Sequence, residues 1–201
     1  MGQWIEMPRD RVNQRHIAQL TDLIQSGGVA IIPTDSSYSL VCEIGNPDAI
    51  QRIRVLRQLR PEHHFTLLCG SLSHLATYAE VSNQAFRFIK TRIPGLYTFI
   101  LKATKAVPSR LKHPKRKSIG LRVPDHSVTQ AVLANIPDGL LGVSLSQQSD
   151  VTDWHDALCG FKSKVDMIIE SGAGNQQTTV VDLTGDSVVC IRVGDGPIDW
   201  E

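Results

Sequence analysis

Apolar positions recur along this chain in two rhythms, a helical spacing of three and four and short β-type runs, and the two alternate. Asn13 can cap a helix whose Ile17, Leu20, Leu23 and Ile24 share one face, with Gly27-Gly28 stopping it. Val29–Ile32 then reads as a buried strand ending at Pro33. Asn46-Pro47 has the cap-then-proline order of a helix start, with Ile50, Ile53 and Leu56 as the buried face. A strand over Phe65–Cys69 and short helices over 71–79 and 82–92 follow, closed by Pro94-Gly95. Tyr97–Lys102, Ile119–Val123 and Leu140–Ser144 are strands, with a helix over 126–135 between the last two. Thr152 caps a helix through Phe161, and strands at Val165–Glu170, Thr178–Leu183 and Val188–Val193 end the chain. Helices interleaved with strands predict one α/β domain over 12–195. Glycine-containing turns between the last strands make its sheet partly antiparallel. Residues 1–11 and 196–201 read as terminal extensions, and no repeat or interdomain linker is apparent.

Composition narrows the class. With 201 residues, 41% hydrophobic and 20% charged, the chain is globular, and no apolar run approaches the ~20 residues needed to cross a bilayer. No signal segment opens it, and Glu6 stands where a myristoylation signal needs Ser or Thr. Four dispersed cysteines without a C-x-x-C pair suggest a cytoplasmic protein with reduced thiols.

The net charge of +1 hides a separation of sign. Eleven of the 21 Lys and Arg lie between Val81 and Pro124, where no Asp or Glu occurs. Residues 125–201 carry 3 basic and 12 acidic side chains. Such a basic zone attracts polyanions, so nucleotides and RNA become the expected partners and membranes do not.

Five stretches could carry chemistry. Thr34, Asp35, Ser36, Ser37 and Tyr38 follow the first buried strand, at the end of the sheet where α/β proteins gather ligands. Arg57, Arg60, His63 and His64 form a basic turn suited to phosphate, without the spacing of a helical metal pair; no structural metal is expected. In Lys115–Pro124, alternation points Gly120 and Arg122 to one side and Leu121 to the other. Arg122 then needs an anionic partner, either an internal carboxylate or a ligand's carboxylate or phosphate. Ser144 and Ser146 share one side of a strand end, and Gln177–Asp182 leads into another strand, with Arg192 in the last. No P-loop, G-x-G-x-x-G or G-x-S-x-G motif occurs, and 5% aromatic content offers no base-stacking platform.

Together and in order, VAIIPTDSSYSL (29–40), HFTLLC (64–69), PGLYTFIL (94–101), KRKSIGLRVP (115–124) and TTVVDLT (178–184) resemble the YrdC-domain family in its YciO branch. The resemblance implies a twisted mixed sheet, helices packed outside it and a basic concave cavity. YrdC-type members make threonylcarbamoyl-adenylate from ATP, L-threonine and bicarbonate for t6A modification of tRNA, and the domain is associated with double-stranded RNA and tRNA. By similarity, Thr34, Tyr38 and Arg122 would hold a threonine-like substrate, and Arg60 and Ser144 would be catalytic. Arg57, Ser146, Thr179 and Arg192 would meet the nucleotide and its phosphates. Lys112, Lys115, Arg116 and Lys117 would form the RNA-binding zone, with ATP and a loosely held Mg²⁺ as the implied cofactors.

Two positions depart from the active pattern: Gln58 stands for the lysine of the K-x-R motif and Ser146 for the asparagine of S-x-N. A neutral Gln cannot neutralise a triphosphate. Loss of one such electrostatic group typically costs about 10²–10³ in rate. The reading adopted is therefore a protein that binds nucleotide, structured RNA or both in a positively charged cavity. Threonylcarbamoyl-AMP synthesis is the alternative. A related, for instance hydrolytic, activity on modified tRNA ranks third, since no nucleophile or base is evident for it.

Overall fold

The computed structural model of the chain describes residues 2–60, 63–145 and 153–200. Its elements run β1 (Gln3–Glu6), α1 (Gln14–Gln25), β2 (Ala30–Pro33), β3 (Tyr38–Glu43), α2 (Pro47–Leu56) and β4 (Thr66–Leu68). Then come α3 (Leu72–Tyr78), α4 (Asn83–Lys90), β5 (Tyr97–Lys102), β6 (Ser118–Arg122), α5 (Ser127–Leu133) and β7 (Leu140–Ser144). The chain closes with α6 (Trp154–Cys159), β8 (Met167–Glu170), β9 (Thr179–Asp182) and β10 (Val189–Arg192). Among the described residues, no helix is long and apolar enough to cross a membrane.

Local chemistry explains the starts. Asn13 Oδ1 accepts from the N–H of Arg15 and His16, and Asn46 Oδ1 from those of Asp48 and Ala49, as their sequence positions predict. For α6 the cap is Asp153, which accepts from His155 and Asp156; the expected cap, Thr152, lies outside the described residues.

One mixed sheet holds all ten strands in the order β1-β8-β2-β3-β7-β4-β6-β5-β9-β10. β1/β8, β2/β8, β4/β6 and β5/β9 are parallel, and the remaining neighbours antiparallel. Two strands go beyond the sequence reading. The sequence reading assigns no element to residues 39–43, where Leu40-Val41-Cys42 is buried in β3. β1 lies in the presumed N-terminal extension, but every residue of it pairs with β8. The C-terminal tail is likewise integrated, with Trp200 against Phe88 at 4.9 Å between ring centroids.

The strand alternation separates two cores. On one face, Ile31, Leu40, Leu67, Phe99, Leu121 and Val181 pack under Ile53 of α2, Leu75 of α3 and Ile89 of α4. On the other, Ile17, Leu20 and Ile24 of α1 and Val128 and Val132 of α5 cover Ala30, Ile32, Val41, Leu68 and Met167. The core beneath these two helices spans β1, β8, β2 and β3 and the borders of β4 and β7. Over the rest of that face, no helix covers the sheet among the described residues, and a hollow forms.

Candidate functional site

Strand parity builds the hollow. Thr66 and Leu68 of β4, Thr98 and Ile100 of β5, Ser118, Gly120 and Arg122 of β6, and Gly142 and Ser144 of β7 all face it. The volume is about 660 Å³. Gly120 and Gly142 keep the floor deep, because no side chain rises from the centres of β6 and β7 there. Arg57, Arg116, Arg122 and Arg192 and the rings of His63, His64 and His113 line the walls, and no Asp or Glu does so among the described residues. Of the basic residues singled out in the sequence, Arg57, Arg116, Arg122 and Arg192 line the hollow, whereas Arg60, Lys112, Lys115 and Lys117 do not.

Arg122 is the deepest. Its Nη2 donates to Asp35 Oδ1 at 2.6 Å and its Nη1 to Ser36 Oγ at 2.6 Å. Of the two partners left open by the sequence, the internal carboxylate is therefore present. Burial pulls the Arg122 guanidinium down from its usual value, while the Asp35 charge and hydrogen bond oppose this. A strap over 171–177 locks the Asp35 loop: Gly174 N–H donates to Thr34 O and Gln176 N–H to Ser36 O. Only glycine fits at 174, since a Cβ would sit 1.7 Å from Asp35 O. Asn175, Gln176 and Gln177 of the strap also line the cavity.

From the turn after α2, Arg57 enters the cavity and its Nε donates to Ser144 O at 3.1 Å. Its Nη2 is buried without a hydrogen-bond partner among the described residues, and burial lowers the guanidinium's pKa. Gln58, in the left-handed region at φ 49°, and Arg60 stay outside the lining. Ser144 stands at the rim, 2.8 Å from Ser37 Oγ. Arg192 Nη2 reaches Thr178 O at 2.8 Å and Thr178 Oγ1 at 3.1 Å.

Several expected residues fall elsewhere. Thr34 Oγ1 is wholly buried: it donates to Ser37 O at 2.6 Å and accepts from the N–H groups of Ser36 and Ser37. It shapes the loop instead of facing the cavity. Tyr38 points into the opposite core, its hydroxyl shared between Ser171 O and Ser171 N–H. Thr179 is out of phase: its hydroxyl donates to Gly196 O at 2.6 Å, and Thr178 and Val180 face the cavity instead. Lys112 Nζ is tied to Thr104 O, Lys115 and Lys117 are exposed away from the lining, and Arg116 alone of that run lines it, paired to Asp182 at 3.3 Å. Ser146 lies outside the described residues.

Cofactor chemistry is limited by the donors. Among the described residues, no group of three or more His, Cys, Asp and Glu is arranged for a metal. A Mg²⁺ arriving with a triphosphate would rest on phosphate and water oxygens, as that ion commonly does. Burial pushes the thiols of Cys42 and Cys69 up to about 12, far from a nucleophilic thiolate.

Comparison with known proteins places this geometry. A family model named Sua5_yciO_yrdC and described as telomere recombination matches residues 22–194. The protein YciO of Escherichia coli (strain K12) is 43% identical, with 98% of each chain covered. The E. coli YciO crystal structure superposes with a TM-score of 0.91 at 41% identity, covering 99% of this chain and 98% of that one. P. abyssi Sua5 complexed with L-threonine gives 0.85 at 22% identity, covering 96% of this chain and 57% of that one, a likeness of fold.

Proposed function

The chain belongs to the Sua5/YciO/YrdC family, and on that premise we propose that it binds a nucleotide, free or as a unit of a structured RNA, with its phosphates among the arginines of the sheet cavity. One observation carries the reading: four arginines and three imidazoles line a hollow of about 660 Å³ with no lining carboxylate among the described residues. That size suits one small ligand, whereas an RNA duplex is too wide to enter it. The buried Arg57 Nη2 supports the same reading, because an unpaired guanidinium nitrogen is costly until an anion meets it. Calorimetric titration with ATP and with tRNA at several salt concentrations is the test. Log K should fall linearly with log salt, by about 0.9 per phosphate neutralised on a duplex. A flat salt response, or no heat with either ligand, contradicts the reading.

A second reading, ATP-dependent activation of a threonine-derived carbamate, draws on the likeness to Sua5 solved with L-threonine. Here the Thr34 and Tyr38 hydroxyls are engaged within the protein and Gln58 replaces a lysine, which weighs against it. Pyrophosphate release from ATP, L-threonine and bicarbonate would establish it over simple binding.

A further inference from the structure

Three imidazoles line the cavity, and the binding reading gives them no chemistry of their own. His63 and His64 precede β4, and His113 approaches from the segment before β6, its ring centroid 5.0 Å from that of His64. His113 Nδ1 accepts the backbone N–H of Lys115 at 3.2 Å and of Arg116 at 3.0 Å, so the neutral ring carries its proton on Nε2. Every charged group facing these rings is a cation among the described residues. Arg54 and Arg57 approach from α2 and its C-terminal turn, and Arg116 from the turn after His113. Asp35 and Asp182, the carboxylates bonded to cavity arginines, are paired to Arg122 and Arg116.

We infer that His63 and His64 form a proton-accepting wall beside the neutral His113 ring, so that an anionic phosphate ligand is bound together with protons taken from solvent. The inference deepens the binding reading and rests on it. Burial, Arg54 and the neighbouring rings hold His63 and His64 below the usual imidazole range while the cavity lacks an anion. A phosphate placed among them reverses the sign of the local field and favours the imidazolium forms. Each proton taken up makes affinity rise by at most about tenfold per pH unit on acidification. The wall would thus favour multiply charged phosphate over a single carboxylate, because only the former offers charge enough for both the arginines and the protonated rings.

The experiment is a titration with ATP at constant salt, in two buffers of different ionisation heat, between pH 6 and 8 (roughly the His titration range), for the wild type and H63N/H64N. The ATP phosphate's own proton cancels between wild type and variant. The inference expects net proton uptake by the wild type, tighter binding at low pH, and a loss of at least half of that uptake in the variant. In parallel, the His64 Cε1–H resonance of the wild type should titrate at higher pH when ATP is added, a readout independent of the variant's folding. Binding with no proton uptake and an unmoved His64 resonance overturns this inference alone. Absence of ATP binding at every pH overturns the binding reading and this inference with it.

Discussion

The Arg122 guanidinium and the Asp35 carboxylate meet at 2.6 Å beneath the cavity, with their side chains 6% and 11% exposed. A charge pair this enclosed is held by its geometry, and removing one member strands the other. D35A should therefore destabilise the fold by about 3–5 kcal/mol. R122M/D35A should recover part of that loss, because no charge is left uncompensated. Urea denaturation of the three proteins checks this, and a loss below about 1 kcal/mol in D35A would place the pair among surface bridges of little worth.

Arg57 and Arg60 leave the same turn, but only Arg57 enters the cavity. A hydrogen bond to a charged group contributes about 1.5–3 kcal/mol, so R57M should weaken ATP binding by roughly tenfold to a hundredfold. R60M should change it less than about threefold, in keeping with an exposed charge. Equal losses in both variants would mean that the ligand lies over the turn and not in the hollow.

The adjacent threonines at the start of β9 separate structure from binding. Thr179 holds Gly196 O and the Gly194 N–H through its buried hydroxyl, so T179V should lose about 1–3 kcal/mol of stability while leaving ATP affinity near wild type. Thr178 faces the cavity, and T178V should show the reverse pattern. Thermal unfolding paired with calorimetry reads both.

Stability should also fall on acidification. Burial depresses the pKa of His63, His64, His74 and His126 in the folded chain. The unfolded chain then binds more protons as pH drops toward and below the free imidazole value of about 6.5, so their stabilising contribution is present above that value and lost beneath it. Melting temperatures at pH 7.5 and 5.5, near either end of the imidazole range of about 5 to 8, should show the lower value at acid pH. Saturating ATP should narrow the gap. A higher melting temperature at acid pH would contradict this.

The pattern of apolar residues in the sequence reaches the architecture because burial imposes a period on each element. Leu121 against Gly120 and Arg122 shows it: parity alone puts the arginine on the cavity side. Thr179, which the resemblance sets against the nucleotide, lies in the other phase, because the pair Thr178-Thr179 leaves the phase of β9 undetermined until β5 fixes its partners. Thr34 and Tyr38 differ from their sequence reading for another reason. A hydroxyl after a strand can close its own loop or face a ligand, and only the folded neighbours, Ser37 O and Ser171, decide which. The short β1 owes its strand state to pairing with β8, a contact between residues far apart in the chain. β3 was legible, since Leu40-Val41-Cys42 is a plain apolar run, but the Ser-rich loop before it drew the reading away.

The most direct test of the cavity reading is to fill the hollow. A Cβ at Gly120 would meet Thr98 Cγ2 at 3.5 Å and Thr66 Oγ1 at 3.7 Å, ordinary contacts, so the backbone tolerates a larger residue whose remaining atoms must occupy the cavity. ATP binding should be abolished in G120L, with its melting temperature close to that of the wild type. Wild-type affinity in a folded G120L protein would contradict the assignment of the ligand to this cavity.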